Sequence, residues 1–306
     1  MPSVLAIIVT FNPDVERLAA QITCLQAQGC DCLVVDNASR HGVKKSRLPS
    51  GVELRALAEN QGLGLAQNIG IRHAMSHAYD YCLLMDQDSQ PDDQMVRQLV
   101  AAHQQKSQHT RVAAVGPLYQ HASGAESFFI RFGRIKFQRL CAQAQDREHC
   151  VECDFLISSG SLFATSVFSD VGLMDEDLFI DHVDTEWFLR AERSKLKTYG
   201  VCNAFMLHAL GETTHRVHIG RRTRNVPQHK PFRYYYILRN SLLLYRRPVS
   251  RRWKLNDVQR LLQIVFMYAI WTPPRLANAR MMALGVWHGV LGRSGPLNAS
   301  RESHHD

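Results

Sequence analysis

The residues best suited to chemistry are two aspartates that follow directly on an apolar segment. Asp86 and Asp88 come after residues 81–85, whose sequence YCLLM is typical of a buried strand. Burying unpaired charge is costly, so packing does not explain two carboxylates at this point. Hard oxygen ligands of this kind bind Mg²⁺ or Mn²⁺ where the ion also holds substrate phosphates. The alternative is a turn in which Asp88 and Ser89 cap a helix that starts near Pro91.

Two further polar segments also follow apolar runs. Asp36 ends the run 32–36, where its carboxylate could hydrogen-bond a base or ribose, although an Asx turn is the favoured explanation of the residue taken alone. Residues 60–70 form a glycine-rich entry into a helix that matches neither GxGxxG nor the P-loop. Its small residues could let the backbone approach a ligand or let the helix pack closely on a sheet.

A third position gathers three carboxylates around the predicted start of a helix in residues 179–187. Asp184 could be a catalytic base, or it could be only the N-cap of the helix. Glu186 could pair with Arg190 one turn later. Asp181 is the third carboxylate, and the residues alone leave these alternatives open.

These residues lie in a chain that alternates strand-like and helix-like segments. Strands are predicted at Val4–Thr10 and at residues 32–36, 52–58, 81–85 and 112–115, and helices at residues 13–28, 65–78, 92–104 and 184–195. Such alternation predicts an α/β fold with a mostly parallel, doubly wound sheet. In these sheets the ligand binds in the loops that follow the carboxyl ends of the strands.

The pattern changes after about residue 117. Residues 118–155 are irregular, and beyond residue 210 the chain becomes basic and aromatic, then helical to about residue 291. We therefore expect an α/β domain at residues 1–215 and a helical, basic-aromatic extension at residues 216–306.

The overall composition is that of an ordinary globular protein with a basic balance. Its 36 Lys and Arg residues exceed its 28 Asp and Glu residues, which gives a net charge of +8. That charge suits nucleic acid, an anionic membrane or a phosphorylated substrate. No nucleic-acid-binding motif accompanies it, so nucleic acid is not expected as a partner. The most apolar stretch, residues 261–271, is too short to span a bilayer, and residues 1–11 lack the basic start of a signal peptide.

The eight cysteines are expected to be reduced thiols. Several lie inside apolar runs, where a free cysteine behaves as a small hydrophobic residue. Cys150 and Cys153 form one CxxC without a second pair at zinc-site spacing, which makes a zinc site the minor alternative. Reduced thiols indicate a cytoplasmic protein.

The separate signals form an ordered set that resembles a known family. The segments VTFN, VVDNAS, NQGLGLAQNIGI, MDQDS, SSGSLF and VDTEWFLR follow one another as in the family-2 glycosyltransferases of GT-A fold. Two sequence motifs are most similar to those of bacterial rhamnosyltransferases of cell-surface polysaccharide synthesis. They are FID-x-VD-x-EW at residues 179–187 and RYYYILRN at residues 233–240. The resemblance covers about residues 4–250, and its specificity lies in the order of the segments.

The resemblance implies roles for individual residues. Asp36 matches the carboxylate that reads a pyrimidine base. Asp86 and Asp88 match the DxD motif, with Asp86 toward the donor and Asp88 as the direct metal ligand. His208, which by itself suggests a core histidine, matches one that completes the metal shell. Donor contacts are also expected from the matching loops, through Thr10, Asn12, Asn60, Gly62 and Asn68.

The resemblance also implies the catalytic base. Asp184 matches the aspartate of the family's ED pair, six residues before Arg190. The residue that precedes it is Val183 instead of an acidic residue, which keeps Asp181 as the alternative base.

The implied reaction is the inverting transfer of a sugar from a nucleotide diphosphate with the help of Mg²⁺ or Mn²⁺. The metal would neutralise the leaving diphosphate, and the base would take the proton of the acceptor hydroxyl. The best match for the donor is dTDP-L-rhamnose, and for the acceptor a glycan or lipid-linked sugar. The alternatives are another donor such as a UDP-sugar, a sugar-nucleotide nucleotidyltransferase, and a non-catalytic glycan- or lipid-binding relative. The sequence does not determine the oligomeric state.

The segment 216–254 suggests where such an enzyme would work. It contains twelve Lys or Arg residues and no Asp or Glu, interleaved with Phe232, Tyr234, Tyr235, Tyr236, Tyr245 and Trp253. Basic and aromatic surfaces suit anionic lipid headgroups, which predicts a cytoplasmic enzyme held peripherally on the inner face of the membrane. The alternative is a solvated helix face.

Overall fold

The computed structural model describes residues 2–121, 128–133, 137–141, 150–208, 214–219, 222–227 and 229–297, with the backbone alone at residues 121, 208, 214–219 and 222–227. The strands are β1 Val4–Thr10, β2 Cys30–Asp36, β3 Glu53–Ala56, β4 Tyr81–Asp86, β5 Ser89–Pro91, β6 Val112–His121, β7 Phe129–Arg131, β8 Gln138–Leu140, β9 Cys150–Cys153, β10 Leu162–Ala164, β11 Lys197–His208, β12 Thr214–Ile219 and β13 Arg222–Pro227. The helices are α1 Val15–Ala27, α2 Leu63–Ser76, α3 Met95–Ser107, α4 Val167–Val171, α5 Val183–Arg193, α6 Pro231–Tyr245, α7 Arg251–Val265 and α8 Arg275–Leu291.

The central sheet has the strand order β3-β2-β1-β4-β10-β6-β11-β5, with β9 paired to β11. The pairs β1–β2, β1–β4, β2–β3 and β6–β11 are parallel, as predicted for a mostly parallel sheet. The short strand β10 lies antiparallel between β4 and β6 and was not predicted. Its three residues are too few for a periodicity to be recognised in the sequence.

Helices cover both faces of this sheet, as expected for a doubly wound fold. Asp14 is the N-cap of helix α1, and its side chain accepts hydrogen bonds from the backbone amides two and three residues later. Helix α1 buries Leu18, Ile22 and Leu25 against one face of the sheet. Helix α2 packs on the other face, where a Cβ at Gly70 would lie 2.2 Å from the Ile7 side chain. The glycine is required because α2 lies so close to β1.

The C-terminal region is helical to Leu291, as predicted, and the division into two domains stays a prediction. The predicted domain boundary at residues 215–216 falls inside β12, which pairs with β13. Helix α6 contacts the loop before α5 through several side chains, which are described below. Within the described ranges, no helix has both the length and the apolar character needed to cross a membrane.

The aromatic residues expected to contact lipid are mostly internal. Tyr234, Tyr235, Tyr236 and Trp253 are at most 3% exposed, so they form part of the core, and that prediction is wrong for them. Phe232, at 39%, is exposed. The physical reason is that α6 has apolar or aromatic residues on every side, which is the pattern of a buried helix.

The expectation of eight reduced cysteines is corrected for one pair. Cys141 and Cys202 form a disulfide, with their Cα atoms 5.7 Å apart. The two residues are 61 positions apart in the sequence, so only the fold brings them together. The other six cysteines are free. Cys150 and Cys153 lie in β9, and Cys153 is buried in the core.

Candidate active site

The carboxyl ends of the parallel strands bring the first predicted site residues together. In the sheet register, Thr10 of β1 lies opposite Asp36 of β2, and Val9 lies opposite Asp86 of β4. The segments that follow these strands therefore lie side by side along one edge of the sheet. This is the edge at which open α/β sheets bind ligands.

The turn that carries Asp86 and Asp88 is fixed by buried polar side chains. Gln21 donates to the carbonyl oxygens of Asp86 (2.8 Å) and Ser89 (2.5 Å). The Ser159 hydroxyl accepts the Asp86 amide at 3.0 Å and donates to the Ser89 hydroxyl at 2.8 Å. Ser159 belongs to the SSGSLF segment, to which the sequence assigned no individual role.

The proposal that Asp88 and Ser89 cap a helix is wrong. Ser89 begins strand β5, and α3 starts at Met95 with Gln94 at its N-cap position. Strand β5 pairs antiparallel with β11, so the polypeptide turns back at Asp88 into the sheet.

Asp86 lies in a crowded group of carboxylates. Burial first, and then the negative charges of Asp88 and Asp184, raise the pKa of Asp86 to about 7, although Arg233 opposes the rise. The Tyr119 hydroxyl is close enough to feel the same negative charges. Its pKa is raised first by burial and then by the charges of Asp184 and Asp86. The fold thus brings the strand exit at Asp86 next to the predicted base Asp184, which is almost one hundred residues later.

Asp184 is the second residue of α5, and the N-cap position is His182, whose side chain makes no capping hydrogen bond. The N-cap explanation of Asp184 is therefore wrong. The Asp184 carboxylate accepts the Thr185 amide at 2.7 Å. Burial raises the pKa of Asp184, while hydrogen bonds from the backbone at Thr185 and Ser158 oppose the rise. A carboxylate with a raised pKa is a stronger proton acceptor than an ordinary aspartate, which is what a general base requires.

Asp181 differs from Asp184 because it has a cationic partner. The Arg233 guanidinium binds it at two points, Nη2 to Oδ1 at 2.5 Å and Nε to Oδ2 at 3.2 Å. The alternative explanation of Glu186 is confirmed, since Arg190 Nε lies 2.9 Å from both of its carboxylate oxygens. Of the three carboxylates, Asp184 alone has no ion-pair partner among the described residues.

Polar side chains of α6 hold the loop that leads into α5. The Asn240 amide donates to the carbonyl oxygens of Leu178, Ile180 and Asp181 at 2.8–3.0 Å. The buried Arg239 donates to the Leu178 carbonyl at 3.0 Å and stacks on Tyr236. The loop needs these contacts because three of its residues have a positive φ, which is an unfavourable backbone conformation for residues other than glycine. They are Phe179, Asp181 and His182.

The sequence did not identify these α6 residues as part of the site. Arg233, Arg239 and Asn240 were seen only as members of a basic-aromatic segment. A signal was available, because a helix whose tyrosines face every direction must be buried, and buried polar side chains need partners.

The predicted donor-binding residues at the first two strands hydrogen-bond to one another. Thr10 donates its hydroxyl to Asp36 at 3.0 Å, and both residues are buried. Asp36 also accepts the Ser39 hydroxyl at 2.5 Å and the Val43 amide at 3.3 Å, which supports the local-turn explanation. The backbone N–H of the exposed Asn12 donates to the Ser39 hydroxyl at 2.7 Å. A base contact by Asp36 stays a prediction.

The loop after β3 closes the same edge of the sheet. Asn60 accepts hydrogen bonds from the Asn37 side chain at 3.1 Å and from the Gly62 amide at 3.0 Å. Gly62 has a φ of +85°, and a Cβ there would lie 2.6 Å from the Phe179 carbonyl oxygen. The glycine thus lets the predicted donor loop contact the loop that carries Asp181.

Asn68 has a different place. It is 1% exposed, and its amide group exchanges hydrogen bonds with the backbone of Met174 (2.8 and 2.9 Å) and donates to Glu176 at 2.8 Å. These bonds use both of its N–H groups. Asn68 therefore joins α2 to the loop before α5, and a donor contact by Asn68 stays a prediction.

The predicted metal ligand His208 is the last residue of β11. Its backbone lies opposite Ser89 in the antiparallel pairing with β5, which is one residue from Asp88. The side chain of His208 lies outside the described side chains. Among those described, no three His, Cys, Asp or Glu residues form a metal-binding group.

One described cleft lies away from these carboxylates. It has a volume of about 680 Å³ and is lined by residues of β9, α5 and β11 together with Arg131 and Arg252. It contains none of Asp86, Asp88 and Asp184, and its charged lining includes the ion pair of Glu152 with Lys197 at 2.7 Å. We place the candidate site at Asp86, Asp88 and Asp184, because these carboxylates are the groups suited to bind a cation or accept a proton.

Comparison with known proteins agrees with this geometry. The model of the family described as glycosyl transferase family 2 matches residues 5–172. The dTDP-rhamnosyl transferase RfbF of Shigella flexneri is 33% identical over 252 residues, which are 80% of each chain.

Solved structures show the same fold. The structure of S. aureus TarS 1-349 in complex with UDP-GlcNAc superposes with a TM-score of 0.53 at 12% identity and covers 95% of this chain and 81% of that one. GalNAc-T7 with UDP, GalNAc and Mn²⁺ gives a TM-score of 0.53 at 14% identity over 68% of this chain, which spans only 44% of that structure. The GT-A fold predicted from the sequence is confirmed. By its family match and its identity to a transferase over most of its length, the chain belongs to glycosyltransferase family 2 and is a transferase.

Proposed function

We propose that this glycosyltransferase moves L-rhamnose from dTDP-L-rhamnose to a glycan or lipid-linked acceptor, with inversion at the anomeric carbon. The observation that carries the proposal is the meeting of Asp86, Asp88 and Asp184 at the carboxyl edge of the sheet. The choice of donor rests on the 33% identity to a dTDP-rhamnosyl transferase.

The carboxylates fit a hard divalent cation. The charges of Asp88 and Asp184 oppose the ionisation of Asp86, and a cation among them would relieve that repulsion. We assign the metal to Asp88 and His208, with Asp86 directed to the donor, because aspartate and imidazole are suitable ligands for Mn²⁺ and carboxylates for Mg²⁺. A bound Mg²⁺ or Mn²⁺ would act as a Lewis acid that neutralises the leaving diphosphate.

We assign the base to Asp184. Its carboxylate would take the proton of the acceptor hydroxyl while the oxygen bonds to the anomeric carbon and the bond from that carbon to the phosphate oxygen breaks. The raised pKa supports this role, since a base works best when its pKa is near the operating pH. Asp181 is less suited because its charge is already neutralised by Arg233.

The donor base would lie at the ends of β1 and β2. There Asp36 is held by Thr10, and Asn12, Asn60 and Gly62 form the neighbouring loops. These hydrogen bonds support a preformed nucleotide site, which would need little reordering on binding.

A donor panel tests the proposal. dTDP-L-rhamnose, UDP-glucose and UDP-GlcNAc are incubated with enzyme and Mn²⁺, and released nucleoside diphosphate is measured. Release from dTDP-L-rhamnose alone, abolished in Asp88→Asn, is expected. Turnover confined to a UDP-sugar would contradict the donor assignment but not the transferase chemistry. The anomeric configuration of the product, read by NMR, decides between inversion and retention.

A further inference from the structure

The C-terminal helices expose an apolar surface. On α7, Leu255, Val258, Leu262 and Val265 recur every three or four residues and are 37–67% exposed. This spacing places them on one side of the helix. The opposite side of α7 already packs inward through Trp253. An ordinary surface helix is polar on its outer side, so the second apolar side of α7 needs another explanation.

Exposed apolar side chains also follow α7 in the chain. The helical turn Phe266–Trp271 exposes Ile270 at 53%, and the start of α8 exposes Leu276 at 84%. Trp287, farther along α8, is 59% exposed. We call the exposed apolar side chains of this region the outer surface; its members are Leu255, Val258, Leu262, Val265, Phe266, Ile270, Leu276, Val286, Trp287, Val290 and Leu291.

The charge around the outer surface has one sign. Residues 251–297 contain seven Lys or Arg residues and a single acidic residue, Asp257. Asp257 is buried, and it accepts hydrogen bonds from Tyr245 at 2.8 Å and from Arg260 at 2.7 Å. Arg275 and Arg280 are exposed on α8, next to the apolar residues in sequence. The region thus combines exposed apolar side chains with a net positive charge.

We propose that the outer surface docks the enzyme on an anionic lipid bilayer, with α7 and α8 lying along the headgroup boundary. Apolar side chains enter that boundary while arginines remain at the anionic headgroups. A second copy of the chain is a poorer occupant, because pairing the surface with itself would bring like charges together. This inference goes beyond the proposed sugar transfer, and it moves the membrane contact from residues 216–254 to α7 and α8.

Vesicle co-sedimentation tests the inference. The test variant is Leu262→Ser/Leu276→Ser/Trp287→Ser, and the control is Met75→Ser on α2, whose side chain is also exposed, at 39%. The wild type should bind vesicles of phosphatidylcholine with phosphatidylglycerol, and the triple variant should lose about tenfold or more in affinity because three large apolar groups no longer insert. The Met75→Ser control should bind like the wild type.

A second variant keeps the test independent of the apolar residues. Arg275→Gln/Arg280→Gln should weaken binding to the anionic vesicles, and added salt should weaken wild-type binding, since the field is screened within about 8–10 Å. Circular dichroism and the thermal shift produced by dTDP should be unchanged in both variants, which excludes misfolding. Vesicle binding needs no sugar donor, so failure of the proposed rhamnosyl transfer would leave this result standing.

Three results would overturn the inference. One is wild-type binding by the triple variant, and another is equal binding of the wild type to neutral and anionic vesicles. The third is a dimer in light scattering that the triple variant loses, without any binding to vesicles, which would make the outer surface an interface between two copies.

Discussion

Arg233 of α6 and Asp181 of the loop before α5 form a two-point ion pair, with contacts of 2.5 and 3.2 Å. The pair is 52 residues apart in sequence and ties the C-terminal helices to the loop that leads to Asp184. Asp181, the alternative base, therefore has a structural partner.

We expect Asp181→Asn to destabilise the protein. Removing one member of a partly buried, hydrogen-bonded pair should lower the free energy of unfolding by about 1–3 kcal/mol. Urea denaturation measures this loss. The control is Asp170→Asn, which breaks the exposed pair with Arg111, where an effect of about 0–1 kcal/mol is expected. Equal, small effects for both variants would contradict the importance of the Arg233–Asp181 pair.

Asn240 should affect catalysis through the position of the loop. Asn240→Asp replaces the amide that donates to three carbonyl oxygens with a group that repels them. We expect kcat to fall by about tenfold or more, because small misplacements of a catalytic group are costly, while dTDP affinity changes little. Asn256→Asp on α7 is the control, since it does not contact this loop. An unchanged kcat in Asn240→Asp would show that the loop keeps its position without this clamp.

These two predictions show where sequence reasoning reached its limit. The alternation of strands and helices predicted the sheet and placed Asp36 and Asp86 at strand ends, because periodicity and burial are local properties. The partners of Asp181 and the carbonyl groups bound by Asn240 lie in a different region of the chain, and no local pattern specifies such pairs.

The same reason explains the error over lipid contact. Tyr234, Tyr235 and Tyr236 have the composition of a membrane-interface segment, but whether a tyrosine faces lipid or core depends on which helix packs against it. The apolar residues on the exposed side of α7 are also evident in the sequence. Their meaning depends on the fold, because only the structure shows that the opposite side of α7 already packs against the core.

Asp86 predicts a pH dependence of stability in the metal-free protein. Its pKa rises from 3.8 to about 7 on folding, so the folded state binds the proton more tightly than the unfolded state. Stability should therefore decrease as pH rises from about 4 to 7, by about 1.4 kcal/mol for each pKa unit of difference. Urea denaturation in EDTA at pH 5.0 and 7.5 measures the change, which should be smaller in Asp86→Asn. The exposed Asp93→Asn should behave like the wild type, and an identical pH slope in all three proteins would contradict the shift.

Binding of dTDP should require a divalent metal and Asp88. Calorimetry with Mn²⁺ should give a measurable affinity that EDTA or Asp88→Asn reduces by about 10-fold or more, because the diphosphate charge is then unneutralised. Protons compete for the carboxylates, so the metal-dependent affinity should be weaker at pH 5.5 than at pH 7.5. Unchanged dTDP affinity in EDTA would exclude the metal assignment.

Asp184→Asn separates a catalytic base from a structural residue. Asparagine can still accept the Thr185 amide, so the start of α5 should be retained, but the side chain can no longer accept a proton. We expect kcat to fall by about 10²–10⁴-fold, with the free energy of unfolding and the dTDP affinity close to wild type. The comparison with Asp181→Asn is decisive, because that variant should lose stability first.

Single-turnover measurements with dTDP-L-rhamnose and an acceptor, made from acidic to alkaline pH, report the chemical step directly. The wild type should lose activity as pH falls through the pKa of its base, and Asp184→Asn should show a low rate without that limb. A near wild-type rate in Asp184→Asn, together with a large loss in Asp181→Asn that exceeds its loss of folded protein, would transfer the base to Asp181. Loss of folding in Asp184→Asn would contradict the retained start of α5 and make the carboxylate a structural group.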